Sequence, residues 1–448
     1  MPHRMWPMPS TQSTSPPQRF VWPVVQQHVE EAAHLRHVRS VLVRAPHVAL
    51  DRLARLDERI EAHIDGMVVS APAARKLTLQ ELDSPSMGSF FAAASLALST
   101  QDFELLDHLY AVAAAMPEAS RGLAAALGWA EPAALRRTVR DLLASALPEM
   151  RALGIQACAL HRVDPGQALA AAAQGDHLPL RAAALRAAAV LGRADMLHFA
   201  TSALAASLDA DDAAVARLAL AASFAACRFG QGVVAVPTLE RLSQIDDNLG
   251  LQALWLGLSS VPVSVAMDMA GSWGAAARKG ASPLAARRAI QSVALLGRPE
   301  HVPWLIERMS DPKLMRVAGE AFSWITGIDL AEHDLETLNG PDLPQTPSDD
   351  PAATDVALDE DESLPWPDPA KLHRWWQEDG PRLAGLAAPV FMGQSTSDDA
   401  ALIATLRSGR QRQRHHAAWL LALRRPGTAL FNTAAPARRQ QRALGGVA

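Results

Sequence analysis

Apolar and polar positions along most of this chain alternate with the period of a helix, not of a strand. The clearest stretch is LDRLARLDERIEAHI (50–64), which places Leu50, Leu53, Leu56, Ile60 and Ile64 on one stripe. Asp57, Glu58, Arg59 and Glu61 are expected to face elsewhere. Residues 24–65 therefore read as two helices. Further on, LRAAALRAAAVLGRADMLHFATSALAASLD (180–209) and LAARRAIQSVALLGRPEHVPWLIERMSD (284–311) share one order. An apolar helix carrying Arg runs into LGR, a second apolar helix follows, and an Asp comes next. The Gly supplies the left-handed residue that ends a helix, and the Asp suits an N-cap.

The same break recurs near Gly128, His161, Gly192, Gly230, Pro262, Gly297 and Gly327, at spacings of 30 to 38 residues. Several units open with a capping residue followed by proline: Asp164-Pro165, Ser282-Pro283 and Asp311-Pro312. Proline at the first helical position loses no hydrogen bond and presets φ. Helix pairs repeating at this length predict an all-α chain built as an α-solenoid, because one pair cannot bury its apolar faces alone and a stack can. Residues 85–330 are assigned to the solenoid, and 21–84 to an atypical N-terminal helical cap. Composition agrees. Hydrophobic residues make up 49% of the chain but aromatics only 5%, with Tyr110 the single tyrosine. Alanine carries much of the rest, and it favours helices that approach closely.

The units resemble HEAT repeats, especially the short kind with A-x-x-x-LG-R found in phycobiliprotein-lyase-like HEAT proteins. A second resemblance rests on HVEEAAHLRHVRSVLVRAPHVALDRLARLDERIEAHIDG (28–66), GEAFSWITGIDL (319–330) and LPWPDPAKLHRWW (364–376). These look like segments of an uncharacterised bacterial family of HEAT-like proteins. The likeness runs from about residue 21 to 430. Some members of that family are encoded beside type VI secretion components, so the resemblance implies an accessory role in a secretion system. It implies no activity.

Charge changes the picture at the C-terminal side. The net charge is −5, with 38 Arg and 4 Lys among the cations. From Glu332 to Glu362 there are eleven Asp or Glu, four prolines and no Lys or Arg. Residues 331–364 are therefore expected to be an acidic linker or loop. From Ala401 onward there are nine Arg and no acid. A C-terminal helical unit (365–432) and a basic tail (433–448) are expected there. The opposite signs predict that the acidic loop lies over the basic end or competes for it. Residues 1–20, rich in Pro and Ser, read as a disordered leader. No run of about 18 apolar residues is present to span a bilayer, and the expected location is the cytoplasm, with no membrane partner.

The chemistry is sparse. No P-loop, dinucleotide fingerprint, G-x-S-x-G or H-E-x-x-H pattern occurs. Cys158 and Cys227 lie on apolar stretches and read as buried thiols. Glu30, Glu31 and His34 have helical metal-ligand spacing, but a di-iron site needs a second copy, and none is found. No catalytic residue, metal or cofactor is assigned. Arg136, Arg137 and Arg140, Arg287 and Arg288, and the arginines from 407 to 425 form basic clusters that a nucleic-acid binder would use. Trp255, Trp304 and Trp324 read as core. Asp368-Pro369 repeats the cap–proline start, so a helix begins there. Trp375 and Trp376 point about 100° apart on it, with one expected to anchor the helix and the other to be exposed. Candidate partner-binding residues are Trp366, Trp375, Trp376, Arg412, Arg414, Arg424 and Arg425. The expectation is a non-catalytic protein-binding scaffold or adaptor whose partner is another protein. A lyase-like HEAT enzyme and a nucleic-acid-binding solenoid are the alternatives.

Overall fold

The computed structural model describes residues 20–116, 120–206, 212–337, 340–341, 359–386 and 389–445. The expected leader, apart from residue 20, and most of the acidic loop lie outside them. The chain is all-α. Twenty-two α-helices and one two-residue antiparallel strand pair, Val390–Phe391 with Gln394–Ser395, occur among the described residues.

The first helices are α1 (Trp22–Leu42), α2 (Leu50–Val69), α3 (Ala71–Glu81) and α4 (Met87–Thr100), and each of the first three packs on the others and on α4. Then follow α5 (Phe103–Ala115), α6 (Ser120–Trp129), α7 (Pro132–Leu143), α8 (Pro148–His161), α9 (Gln167–Gln174), α10 (Leu178–Leu191), α11 (Leu197–Ala206) and α12 (Ala213–Arg228). After them come α13 (Gly232–Ser243), α14 (Asn248–Ser260), α15 (Val263–Arg278), α16 (Pro283–Leu296), α17 (Val302–Arg308) and α18 (Met315–Thr326). The even-numbered helices from α4 to α18 each touch the next, and odd-numbered helices flank them. The even row is the more buried. On α12, Ala219, Ala221, Ala222, Ala225, Ala226 and Cys227 are almost wholly excluded from solvent. Small side chains at these positions let neighbouring helices approach closely.

Local chemistry sets the helix ends. Asp102, Asp212, Asp247 and Ser282 accept hydrogen bonds from backbone N–H groups in the first turns they precede. Gly192, Gly297 and Gly327 end α10, α16 and α18 with positive φ. Two expected starts differ. Asp164 and Asp311 bond to the N–H two residues on. Each holds a turn ahead of its helix, which begins only at Gln167 and Met315. The α2 stripe is buried as its spacing predicts, and so are Cys158 and Cys227. Trp255, Trp304 and Trp324, expected in the core, are half-buried at its edge. Among the described residues Trp419 is the indole wholly excluded from solvent.

After α18 the chain leaves the row, forms α19 (Pro369–Ala384) against α17, and then returns along it. The strand pair docks first. Val390 N donates to Gly297 O at 2.6 Å, and Met392 N to Trp324 O at 2.8 Å. Next come α20 (Asp399–Ser408) and α21 (Gln411–Arg424). Trp419 of α21 stacks on Phe224 of α12, with ring centroids 5.2 Å apart. Leu430 N donates to Val190 O at 2.8 Å, and Asn432 Nδ2 to Leu160 O at 3.0 Å. Finally α22 (Ala437–Gly445) brings Arg439 Nη2 to Gly128 O at 2.6 Å and Trp129 O at 2.8 Å. The segment expected to be a basic tail thus includes a docked helix.

Segment 390–439 therefore passes the C-terminal ends of α16 and α18 together, and then those of α10, α8 and α6 in turn. The last carbonyls of a helix lack intrahelical partners and carry its negative dipole end. Backbone N–H groups and guanidiniums of the returning strap satisfy several of them. Arginines of the row answer in kind. Arg228, at the end of α12, donates from Nη2 to Arg425 O at 3.0 Å and Thr428 O at 2.6 Å, and Arg162 Nε donates to Leu430 O at 2.6 Å. Arg39 of α1 is buried beside Asp57 of α2 at 2.5 Å, and its Nη2 reaches Ala435 O at 2.9 Å. Asp57 was expected at the surface. It is buried because it joins Arg39 to the strap and also accepts from Ala437 N at 2.7 Å.

Candidate functional site

A groove of about 1230 Å³ lies between α18, α20 and the start of α21. Its floor and walls come from distant stretches. Glu320, Ser323 and Trp324 project from α18, Asp329 and Glu332 from the turn after it, and Leu364 and Pro365 from the segment before α19. Ala404 and Thr405 line it from α20, and Pro46 and His47 from the α1–α2 connection. Parts of GEAFSWITGIDL and of LPWPDPAKLHRWW thus meet in one place.

Two arginines at the start of α21 hold the groove together. Arg412 Nη1 donates to both carboxylate oxygens of Glu320, at 2.7 and 2.8 Å, while its Nε donates to Arg44 O at 3.0 Å. Arg410 Nη2 donates to Asp329 at 3.1 Å and Glu332 at 3.4 Å. His47 Nδ1 is buried there without a hydrogen-bond partner. Burial first, and then the charges of Arg52, Arg410 and Arg412, lower the His47 pKa, which favours the neutral ring. The lining then carries five carboxylates, Glu320, Asp329, Glu332, Glu362 and Asp398, against the guanidiniums of Arg410 and Arg412. The groove is acidic.

Of the seven candidate residues, only Arg412 lines this groove. Trp366 is half-buried with the Arg316 guanidinium 4.3 Å from its ring centre. Trp375 and Trp376 are both half-buried and both pack on the core around Phe322 and Leu372. The ring of Trp375 meets Phe322 edge-on at 5.3 Å. The expected split into one anchor and one exposed ring does not occur, because both rings lie against the same core cluster and beside each other, with centroids 6.5 Å apart. Arg414 was expected as a surface contact. It is fully buried and donates to Leu406 O at 2.8 Å and Gln440 Oε1 at 2.7 Å. Burial lowers its pKa to about 10. Arg424 and Arg425 share Asp399.

Several side chains of the other clusters are also engaged within the chain. Arg287 pairs with Asp361 at 2.6 Å, and buried Arg288 bonds to Gln291 at 3.0 Å. Arg137 lies over Phe103 at 4.0 Å and Arg140 pairs with Asp141 at 3.3 Å. Glu30 accepts from Gln26 and Glu31 pairs with Arg59. Among the described residues no three His, Cys, Asp or Glu side chains gather in a way that would hold a metal ion, and no helix is long and apolar enough to cross a membrane. His47, Glu320 and Asp329 were not singled out as site residues from the sequence, and Arg410 entered only as one of the arginines from 407 to 425. The signal available for Glu320 and Asp329 was their place in GEAFSWITGIDL, and for His47 its place in the 28–66 segment.

No protein-family model, curated protein or solved structure matches the chain.

Proposed function

We propose that this protein is a non-catalytic binding scaffold that takes a basic segment of a partner protein into the acidic groove beside α18. The observation that carries the reading is the groove itself. It is too large and open for a small catalytic pocket, it mixes apolar walls with an excess of carboxylates, and rigid helices build it. The unbroken row of even helices with odd helices on its flank supports a HEAT-like α-solenoid as the architecture. Such stacks bind partners along extended surfaces. The resemblance to HEAT-like proteins encoded beside secretion components supports an accessory role in a bacterial secretion system. The nucleic-acid reading draws little support from the arginine-rich end, since Arg414 is buried and Arg424 and Arg425 serve Asp399.

The test places a photo-crosslinking residue at Ala404 in the groove and, as a control, at exposed Glu104. Peptides captured at Ala404 are expected to come from one partner and to be rich in Lys and Arg. The double variant Glu332→Lys, Glu362→Lys is expected to cut that capture at least tenfold. Capture no higher than at Glu104, or peptides with no excess of positive charge, defeats the proposal.

A further inference from the structure

Two histidines face each other where the start of α1 meets the end of α2. His28 of α1 and His63 of α2 bring their Nδ1 atoms to 3.1 Å, with ring centroids 5.2 Å apart and planes at 63°. Gly66, three residues after His63 and so on the same face of α2, makes this approach possible. A Cβ on Gly66 would stand 2.5 Å from Nε2 of His28 and 2.6 Å from its Cδ2. Gly66 takes no positive φ and lies inside a helix, where glycine is weaker than alanine. What its missing side chain provides is a slot for the imidazole. The ring of His28 sits with its Nε2 edge toward Gly66 and its Nδ1 turned to His63. Both rings are half-buried, so packing holds them while water still reaches them.

A neutral imidazole carries one proton and one lone pair on its nitrogens. As a hydrogen bond, the pair uses the proton of one Nδ1 and the lone pair of the other. Moving that proton to Nε2 of its own ring leaves a lone pair on each Nδ1, and neither ring changes charge. Imidazole nitrogens lie about 2.0–2.1 Å from Zn²⁺. At that length two nitrogens 3.1 Å apart subtend about 98° at the ion, between the octahedral and the tetrahedral angle. The separation already suits one shared ion, and the rings have only to pivot until both lone pairs converge on it. Glu31, three residues after His28 on the same face of α1, adds a carboxylate to this end of the hairpin. It pairs with Arg59 of α2 at 3.8 Å, a loose contact.

We propose that His28 and His63 bind a divalent transition-metal ion of the class that imidazole prefers, with Zn²⁺ as its representative and water in the remaining positions. Two protein ligands make a site of micromolar strength rather than a permanent structural centre. A bound ion ties α1 to α2 and stiffens the N-terminal cap. The site lies about four helical turns along the hairpin from Pro46 and His47. It does not depend on the reading given for the acidic groove.

The test titrates zinc chloride into the full chain, stripped with a chelator and carrying no histidine tag. One equivalent is expected to bind with a micromolar Kd and to raise Tm. His28→Ala and His63→Ala are each expected to weaken binding at least tenfold. His34→Ala, at an exposed position on α1, is expected to leave it unchanged. Gly66→Ala, which fills the slot, is expected to weaken it as well. A measurement on the unaltered chain does not depend on how the variants fold: with one equivalent of Cu²⁺, electron paramagnetic resonance is expected to show two imidazole nitrogens on one ion. A Kd above a millimolar, or a spectrum with fewer than two nitrogens, overturns the proposal. So does undiminished zinc binding in both His28→Ala and His63→Ala, or a loss in His34→Ala as large as theirs.

Discussion

The indole N–H of Trp255 donates to Nδ1 of His416 at 3.1 Å. Because an indole only donates, Nδ1 accepts and the imidazole proton resides on Nε2. The ring is 3% exposed and lies against Phe391 and Trp324, with centroids 4.8 and 5.1 Å away. Burial, helped by His415, depresses its pKa to about 3. The unfolded chain therefore takes up this proton first as pH falls. The stability that neutral His416 preserves is complete above roughly pH 6.5 and drains away between there and about pH 3, at up to about 1.4 kcal/mol per pH unit. Urea unfolding at pH 7.5, 6.0 and 5.0 is expected to show a shallower pH slope in His416→Gln than in the wild type. Parallel slopes would contradict a buried neutral ring.

The strap's contact with the helix ends is measurable at a pair of glycines. Gly297 and Gly230 both have positive φ, at 59° and 78°. A Cβ on Gly297 would run into the backbone of Val390, whereas a Cβ on Gly230 would meet nothing within 4 Å. Gly230→Ala is expected to cost only the left-handed strain, about 1–2 kcal/mol. Gly297→Ala adds displacement of the strand pair and is expected to cost at least 1 kcal/mol more, by analogy with overpacked sites. Equal losses in chemical denaturation would mean that the strap yields without resistance.

Asp57 supports three contacts, two to Arg39 and one to Ala437 N. Asp57→Ala strands a buried guanidinium and is expected to cost about 3–5 kcal/mol. The double variant Arg39→Met, Asp57→Leu is expected to recover much of that, since it removes the charge along with its partner. A double variant as unstable as the single one would show that the pair is needed for its geometry.

The acidic segment pairs with the helix row as well as with the basic end. Arg316 is held by Asp359, Arg287 by Glu360 and Asp361, and Arg410 by Asp329 and Glu332. Deleting residues 340–360 removes Asp359 and Glu360 and leaves Arg316 without a carboxylate partner, held only by Asp361 O and the Trp366 ring. Retention on a heparin column is expected to rise, with elution at higher salt than the wild type. Unchanged elution would count against the acidic segment as a shield.

The helices and their breaks were legible because their causes are local. Gly192, Gly297 and Gly327 end helices through their own φ, and the Leu50–Ile64 stripe is buried at its own spacing. Asp57 was misplaced because its partners at 39 and 437 cannot be inferred from the pattern around it. The count of arginines after Ala401 was correct, but a count does not reveal that helix-end carbonyls, Gln440 and Asp399 occupy many of the guanidiniums. The groove was invisible for the same reason. It is assembled from residues near 47, 320, 364 and 410 that only the strap brings together.

The strap also changes what kind of mechanical object the helix row is. A stack held only by nearest neighbours stretches, twists and frays at its ends one unit at a time. Here the backbone N–H of Ala437 bonds to Asp57, across 380 positions of sequence. Bending the row would have to slide or tear the strap, so bonds far apart in sequence resist together rather than one at a time.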